Sequence, residues 1–279
     1  CIQHTLPNLY SYNAKLKNIG IFYTETLTFT ETMWHKHINL LDEAWVPNSQ
    51  MIAACKKSGV KIPVRLAPLS IPVENYENIA DCAEVGELRG TFNFCFVGEF
   101  IRRKNMEGLL RDETLEHFDR FSTNVKGNLK IRKKYQKEIA IAGNLEPRHL
   151  YSLMSKCHCF VMPSFGEAWC IPAIESMAMG IPVIYTGGTG MDDFCVGWKI
   201  PSSATPCYMG TESLSDLYTS SSRWMNPDLE ALCSLMRVAY ETYKNDPNRY
   251  SEISKHAKEK AMKYSSRAIG LKLKELLYE

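Results

Sequence analysis

Ser164-Phe-Gly-Glu-Ala-Trp-Cys-Ile-Pro-Ala-Ile-Glu-Ser-Met-Ala-Met-Gly-Ile-Pro-Val183 is the stretch around which the chain is organised. The apolar run just before it, 157–162, predicts a buried strand. Pro163, Ser164 and Gly166 mark a turn. Pro172 suits the first turn of a helix, where its missing N–H costs nothing. Gly180 suits the residue just past the helix end, and Pro182 stops the helix from resuming. Residues 182–186 then predict a second buried strand. The order is strand, loop, helix, strand: one βαβ unit, with Glu167 in the loop and Glu175 in the helix.

That order has chemical content. In an open parallel sheet, ligands bind beyond the carboxyl ends of the strands, where the loop 165–171 sits. Free N–H groups and the positive dipole end of a helix start favour a phosphate. Two carboxylates at that edge repel phosphate, but they accept hydrogen bonds from hydroxyls. Phosphate plus hydroxyls describes a nucleotide sugar. On spacing alone, two solvent-facing glutamates around a helix start explain the pattern equally well.

The wider pattern is more specific. Glu167 and Glu175 stand eight residues apart, with Gly166 before the first and Pro172 between them. This resembles the E-x7-E signature of retaining GT-B glycosyltransferases of family 4, the group 1 glycosyltransferases. Residues 166–183 follow that family's loop, helix and strand almost position by position. The fold this implies is α/β, with two Rossmann-like doubly wound domains facing a cleft.

A second stretch carries the same resemblance. Residues 91–97, Thr-Phe-Asn-Phe-Cys-Phe-Val, alternate and predict a strand. Gly98-Glu-Phe-Ile-Arg-Arg-Lys-Asn105 follows, with a helix predicted over 106–111. Basic groups in a strand-to-helix loop are what a diphosphate leaving group requires, because they neutralise charge as the glycosidic bond breaks. Arg suits a phosphate fork and Lys acts as a point charge. The loop is similar to the family's G-x-F-x-x-R-K-N, whose Arg and Lys hold the donor pyrophosphate; Arg103 and Lys104 match. Glu99 stands where many relatives carry Arg, which leaves open which Arg acts.

The resemblance thus implies a donor site with Arg103 and Lys104 on the pyrophosphate, Glu175 on the ribose hydroxyls and Glu167 on the donor sugar. The backbone of Ala168, Trp169, Cys170 and Ile171 lies at the helix start, and Gly98 and Gly188 lie in loops that approach the donor. Gly188 belongs to the glycine-rich run 187–193, where backbone can come close to a ligand. Residues 223–228 are expected to open a helix over 229–243, and further helices are expected over 248–264 and 271–277.

Length and composition set bounds. With 279 residues, two domains fit. A chain 45% hydrophobic and 23% charged is that of an ordinary globular protein. A net charge of +2 gives no strong nucleic-acid signal. No run approaches the ~18 apolar residues of a membrane span. Of the ten cysteines, Cys95, Cys157, Cys159 and Cys170 sit in or beside apolar segments and read as buried free thiols, in a reducing, cytoplasmic setting. Cys157-His158-Cys159 is a poor chelate, because strand alternation puts the His on the face opposite the two Cys. Lys126, Lys130, Arg132, Lys133, Lys134 and Lys137 form a basic run; it reads as a solvated face, or as a weak contact with an anionic surface such as a membrane.

The first 70 residues alternate short strands and helices, as a doubly wound domain does. They resemble the second half of the family's N-terminal domain through Ala44-Trp45-Val46-Pro47-Asn48-Ser49, Ser58-Gly59-Val60 and Leu66-Ala67-Pro68. The expected division is 1–88 for a partial, apparently truncated acceptor-side domain with linker, 89–246 for the donor domain, and 247–279 for C-terminal helices that can cross back; the linker, 71–88, is expected to be an exposed entry to the second domain. His4 and Glu25 end two strands at the expected acceptor cleft, so both are candidates to orient the reacting hydroxyl; many relatives carry a His near Glu25, and this chain does not.

The resemblance implies a retaining hexosyltransferase using a nucleoside-diphosphate sugar, an unidentified acceptor, no cofactor and no metal, since no acidic metal pair stands out. Two alternatives remain at this point: a nucleotide-sugar-binding module without turnover, and an epimerase or phosphorylase on the same fold.

Overall fold

The computed structural model describes residues 1–82, 88, 90–99, 101–105, 141, 145–207 and 218–278. The basic run at 126–137 and the helix expected at 106–111 lie outside them. Two parallel sheets organise the chain. The first has the order β1 (Ile2–His4), β2 (Ile19–Ile21), β3 (Glu43–Val46), β4 (Val64–Leu66). The second has the order β5 (Phe94–Cys95), β6 (Cys159–Met162), β7 (Val183–Thr186), β8 (Gly197–Ile200). The strand predicted over 91–97 pairs only at Phe94 and Cys95, opposite Cys159 and Phe160.

Strands β3, β6 and β7 are buried along their whole length. Parallel strands covered by helices on both faces need apolar runs rather than alternation, which is why 159–162 and 183–186 were legible as strands. Glu43 is the exception in β3. Lys17 Nζ at 2.9 Å and the Trp45 indole N–H at 3.1 Å compensate its carboxylate.

Helix α1 (Trp34–Ile38) and α2 (Ser49–Lys57) cover the first sheet. Asn48 caps α2, its Oδ1 accepting from Met51 N at 2.8 Å. Helices α3 (Pro147–Met154), α4 (Ile171–Ala178), α5 (Leu229–Asn245), α6 (Pro247–Met262) and α7 (Ser266–Tyr278) follow. Pro172 lies in the first turn of α4 and Gly180 follows its end at φ +80°, as the sequence predicts. The carboxylate of Asp228 caps α5, accepting from Glu230 N and Ala231 N at 3.0 Å each.

Two features differ from expectation. Residues 223–227 form strand β10 (Arg223–Pro227), antiparallel to β9 (Ser202–Pro206), rather than a helix start. The linker is not an exposed tether: Ile71, Val73 and Tyr76 are buried, and a 3-10 turn spans Val73–Tyr76. The polar letters of 71–88 hide this, because the burial comes from α4 and α6, which lie far along the chain. None of the helices among the described residues is long and apolar enough to cross a membrane.

The two sheets are held together at several places. Leu273 and Leu276 of α7 pack against Ile19 and Trp45 of the first sheet. Ile71 N donates to Tyr264 O at 3.0 Å. Asp193 caps α2 from the other domain, taking Ser49 N at 2.7 Å and Ser49 Oγ at 2.5 Å. Asn48 Nδ2 donates to Ala168 O. Gly190 makes this approach possible, since a Cβ there would collide with Asn48 Nδ2 of the other domain and stand 2.5 Å from Ala168 O. Gly190→Ala is therefore expected to destabilise the chain by ~1–3 kcal/mol, read as a lower denaturation midpoint in urea. An unchanged midpoint shows that the domains part at no cost.

Candidate active site at the domain boundary

The E-x7-E unit folds as a strand, a loop and a helix start. Strand β6 delivers the chain to Pro163, and the loop turns back so that Phe165 N donates to Arg103 O at 2.8 Å. This backbone bond sets the 98–105 loop beside the 164–170 loop. Arg103 and Lys104 lie in a single 3-10 turn, Arg102–Lys104, which ends at Asn105 with φ +56°. Asn105 is buried and its Nδ2 donates to Pro163 O at 2.9 Å, which pins the turn.

The charges then converge. Lys104 Nζ donates to Glu167 Oε1 at 2.6 Å. Arg103 Nη1 donates to Gly166 O at 2.7 Å and lies 3.5 Å from Glu167 Oε1. Arg103 Nη2 lies 3.5 Å from Glu25 Oε1, which comes from the segment after β2 in the other domain. Tyr218 donates its hydroxyl to Glu25 Oε2 at 2.6 Å. Burial works against the Arg103 charge; Glu25 and then Glu167 outweigh it and hold the guanidinium above its ordinary value. Two cations and two carboxylates make this cluster neutral.

Gly166 is needed for this geometry. A Cβ there would stand 2.7 Å from Glu25 O and 2.9 Å from Glu25 Cβ. A side chain there would push the Glu25 segment away from the 164–170 loop.

Glu175 lies apart from this cluster, 9% exposed on α4. Tyr76 and Tyr151 donate their hydroxyls to its Oε1 at 2.8 and 3.3 Å. Burial pushes its carboxyl above the ordinary value, and the two tyrosine bonds pull in the other direction. The Trp169 ring packs on Phe194 at 4.5 Å and on Tyr264 at 5.3 Å, and Cys170 is buried with it in the core. What Ala168, Trp169 and Cys170 offer a ligand is therefore main chain. Burial pushes the Cys170 thiol up to about 12, which disfavours its thiolate. Ile171 is the first residue of α4. Gly98 lies beside Lys104, whose Cδ is 3.9 Å from the position of an added Cβ. Gly188 has φ +74°, and its N–H donates to Asp192 Oδ2 at 2.9 Å.

His4 does not join the cluster. It is exposed at the end of β1 and its ring meets Tyr23 edge-on at 5.0 Å. Ser164 Oγ and Thr186 Oγ1, near the ends of β6 and β7, are buried without a hydrogen-bond partner among the described residues. Among the described residues no three His, Cys, Asp or Glu side chains gather as a metal site. Sequence reasoning missed Tyr76, Tyr151 and Tyr218, because nothing in a lone tyrosine marks it as a partner for a carboxylate that lies 24 to 193 residues away.

This geometry has relatives. Residues 83–199 match the family described as glycosyl transferases group 1. Among solved structures, sucrose-phosphate synthase from Thermosynechococcus elongatus is similar over 98% of this chain and 69% of its own, with 15% identity and a TM-score of 0.66. Anabaena HepE, solved with UDP and glucose, is similar over 95% of this chain and 72% of its own, with 12% identity and a TM-score of 0.63. The trehalose-6-phosphate synthase OtsA is similar over 93% and 66%, with 10% identity and a TM-score of 0.64. The fold is GT-B. No curated sequence matches the chain.

The raised carboxyl of Glu175 has a consequence for stability. A folded state that holds a proton more tightly than the unfolded chain loses stability as pH rises from the ordinary value of 4.5 through the raised one. Glu175→Gln keeps an acceptor for both tyrosines and removes that loss. The difference in unfolding free energy between variant and wild type is expected to shift in the variant's favour across this window. A pH-independent difference would mean that Glu175 ionises alike folded and unfolded.

Proposed function

We propose that the chain is a retaining glycosyltransferase that moves a hexose from a nucleoside-diphosphate sugar to an acceptor bound between the two sheets. The observation that carries this reading is the meeting of Arg103 and Lys104 with Glu167 at the carboxyl edge of the second sheet. The start of α4 lies just beyond. A diphosphate there takes Lys104 and Arg103 as counter-ions and the free N–H groups of the helix start as donors. The buried hydroxyls of Ser164 and Thr186 add donors at the same edge.

Once the cations turn to phosphate, Glu167 is released to accept from the donor sugar's hydroxyls. Glu175 accepts from the ribose. In the transfer, the bond from the anomeric carbon to the diphosphate oxygen breaks and the acceptor oxygen bonds to that carbon from the same face. The acceptor's proton passes to the departing phosphate. Arg103 and Lys104 stabilise the charge that collects on the leaving group, so this chemistry asks for no metal and no protein nucleophile. Glu25, facing Arg103 across the boundary and held by Tyr218, orients the acceptor hydroxyl. The UDP bound in the HepE structure supports a nucleotide-sugar donor.

Calorimetry with UDP, GDP, ADP and their hexose conjugates tests the reading. One of these nucleotides is expected to bind with micromolar affinity. Lys104→Ala is expected to weaken it by ~1.5–3 kcal/mol, the range for a hydrogen bond to a charged group, and a chelator is expected to leave it unchanged. If no nucleotide binds, the reading is wrong.

A further inference from the structure

Two tyrosines, Tyr76 buried and Tyr151 half-buried, have no part in the transfer as described. Tyr76 is 3% exposed and sits on the segment joining the two sheets. Its hydroxyl donates to Glu175 Oε1 at 2.8 Å. Tyr151 of α3 donates to the same oxygen at 3.3 Å, and the two rings meet edge to face at 4.9 Å. Glu175 Oε2 makes no hydrogen bond among the described residues.

Two donors on one oxygen do more than satisfy it. They fix the carboxylate plane, so the second oxygen keeps one direction. They also stabilise the ionised form against the burial that disfavours it, which keeps Glu175 an acceptor. A fixed acceptor is what a hydroxyl ligand needs, and an ammonium or phosphate ligand has no comparable need for it. A site built to hydrogen-bond a hydroxyl rejects an analogue that lacks it, because the buried oxygen is then left unpaired.

We propose that Tyr76 and Tyr151 are positioning residues that aim Glu175 Oε2 at a ribose hydroxyl and so make the site selective for ribonucleotides over deoxyribonucleotides. The proposal rests on the reading of Glu175 as the ribose ligand. Because Tyr76 belongs to the linker, it also makes this selectivity depend on the linker being docked against α4.

The test compares two probes on the full chain: the tightest-binding of UDP, GDP and ADP, and its 2′,3′-dideoxy counterpart. Wild type is expected to prefer the ribonucleotide by roughly tenfold or more. Tyr76→Phe keeps the ring and is expected to cut that preference to about threefold or less, with the dideoxy affinity unchanged. Tyr151→Phe, which removes the longer bond, is expected to cut it less, and it serves as the second variant if Tyr76→Phe does not fold. A preference that survives in both variants overturns the proposal. So does equal weakening of both probes, which marks a merely structural role. A wild type that binds the diphosphates without preferring ribose overturns this proposal and leaves donor binding standing. A wild type that binds neither probe overturns the proposed function and this inference together.

Discussion

Arg103 is a cation that the protein has largely removed from water, with 13% of its side chain exposed. Taking such a charge out of water costs several kcal/mol unless partners replace the lost solvent. The partners come from both halves of the molecule: Glu25 from the first domain, and Glu167 and the Gly166 carbonyl from the second. The rest of the site depends on that compensation. Gly166 must lack a side chain so that Glu25 can approach, Asn105 must pin the turn that carries Arg103, and Tyr218 must hold the far oxygen of Glu25.

The same logic joins the domains away from the charges. Asp193 fills the N-terminus of α2, so a helix of one sheet is capped by a carboxylate of the other. Phe165 stacks on Trp224 at 5.0 Å, and Leu27 N donates to Arg223 O at 2.7 Å, so the segment after β2 runs beside β10. Directional bonds at the boundary and apolar packing of α7 together set the register of the two halves.

The βαβ unit was legible because its signals are local. Pro172, Gly180 and Pro182 punctuate a helix, and unbroken apolar runs mark strands that are covered on both faces. Arg103 and Lys104 stood out for a related reason: three consecutive basic residues, 102–104, just after a strand are a local signal. Strand β10 was not legible, since Arg223–Pro227 becomes a strand only by pairing with β9, and its Pro and Asn favour a turn on their own. Tyr76 was lost in the same way, inside a segment whose letters describe a linker.

By itself the sequence determined the order of elements around Glu167 and Glu175, the α/β class and the chemical types at the sheet edge. Each follows from spacing along the backbone, which neighbouring residues control. Only the tertiary structure decided the pairings: Lys104 and Arg103 on Glu167, Glu25 on Arg103 and Tyr218, and two tyrosines on one oxygen of Glu175. Those contacts join residues 24 to 193 positions apart. A buried charge must be matched by whatever polar group the packed fold brings within reach, and no local pattern records which group that is.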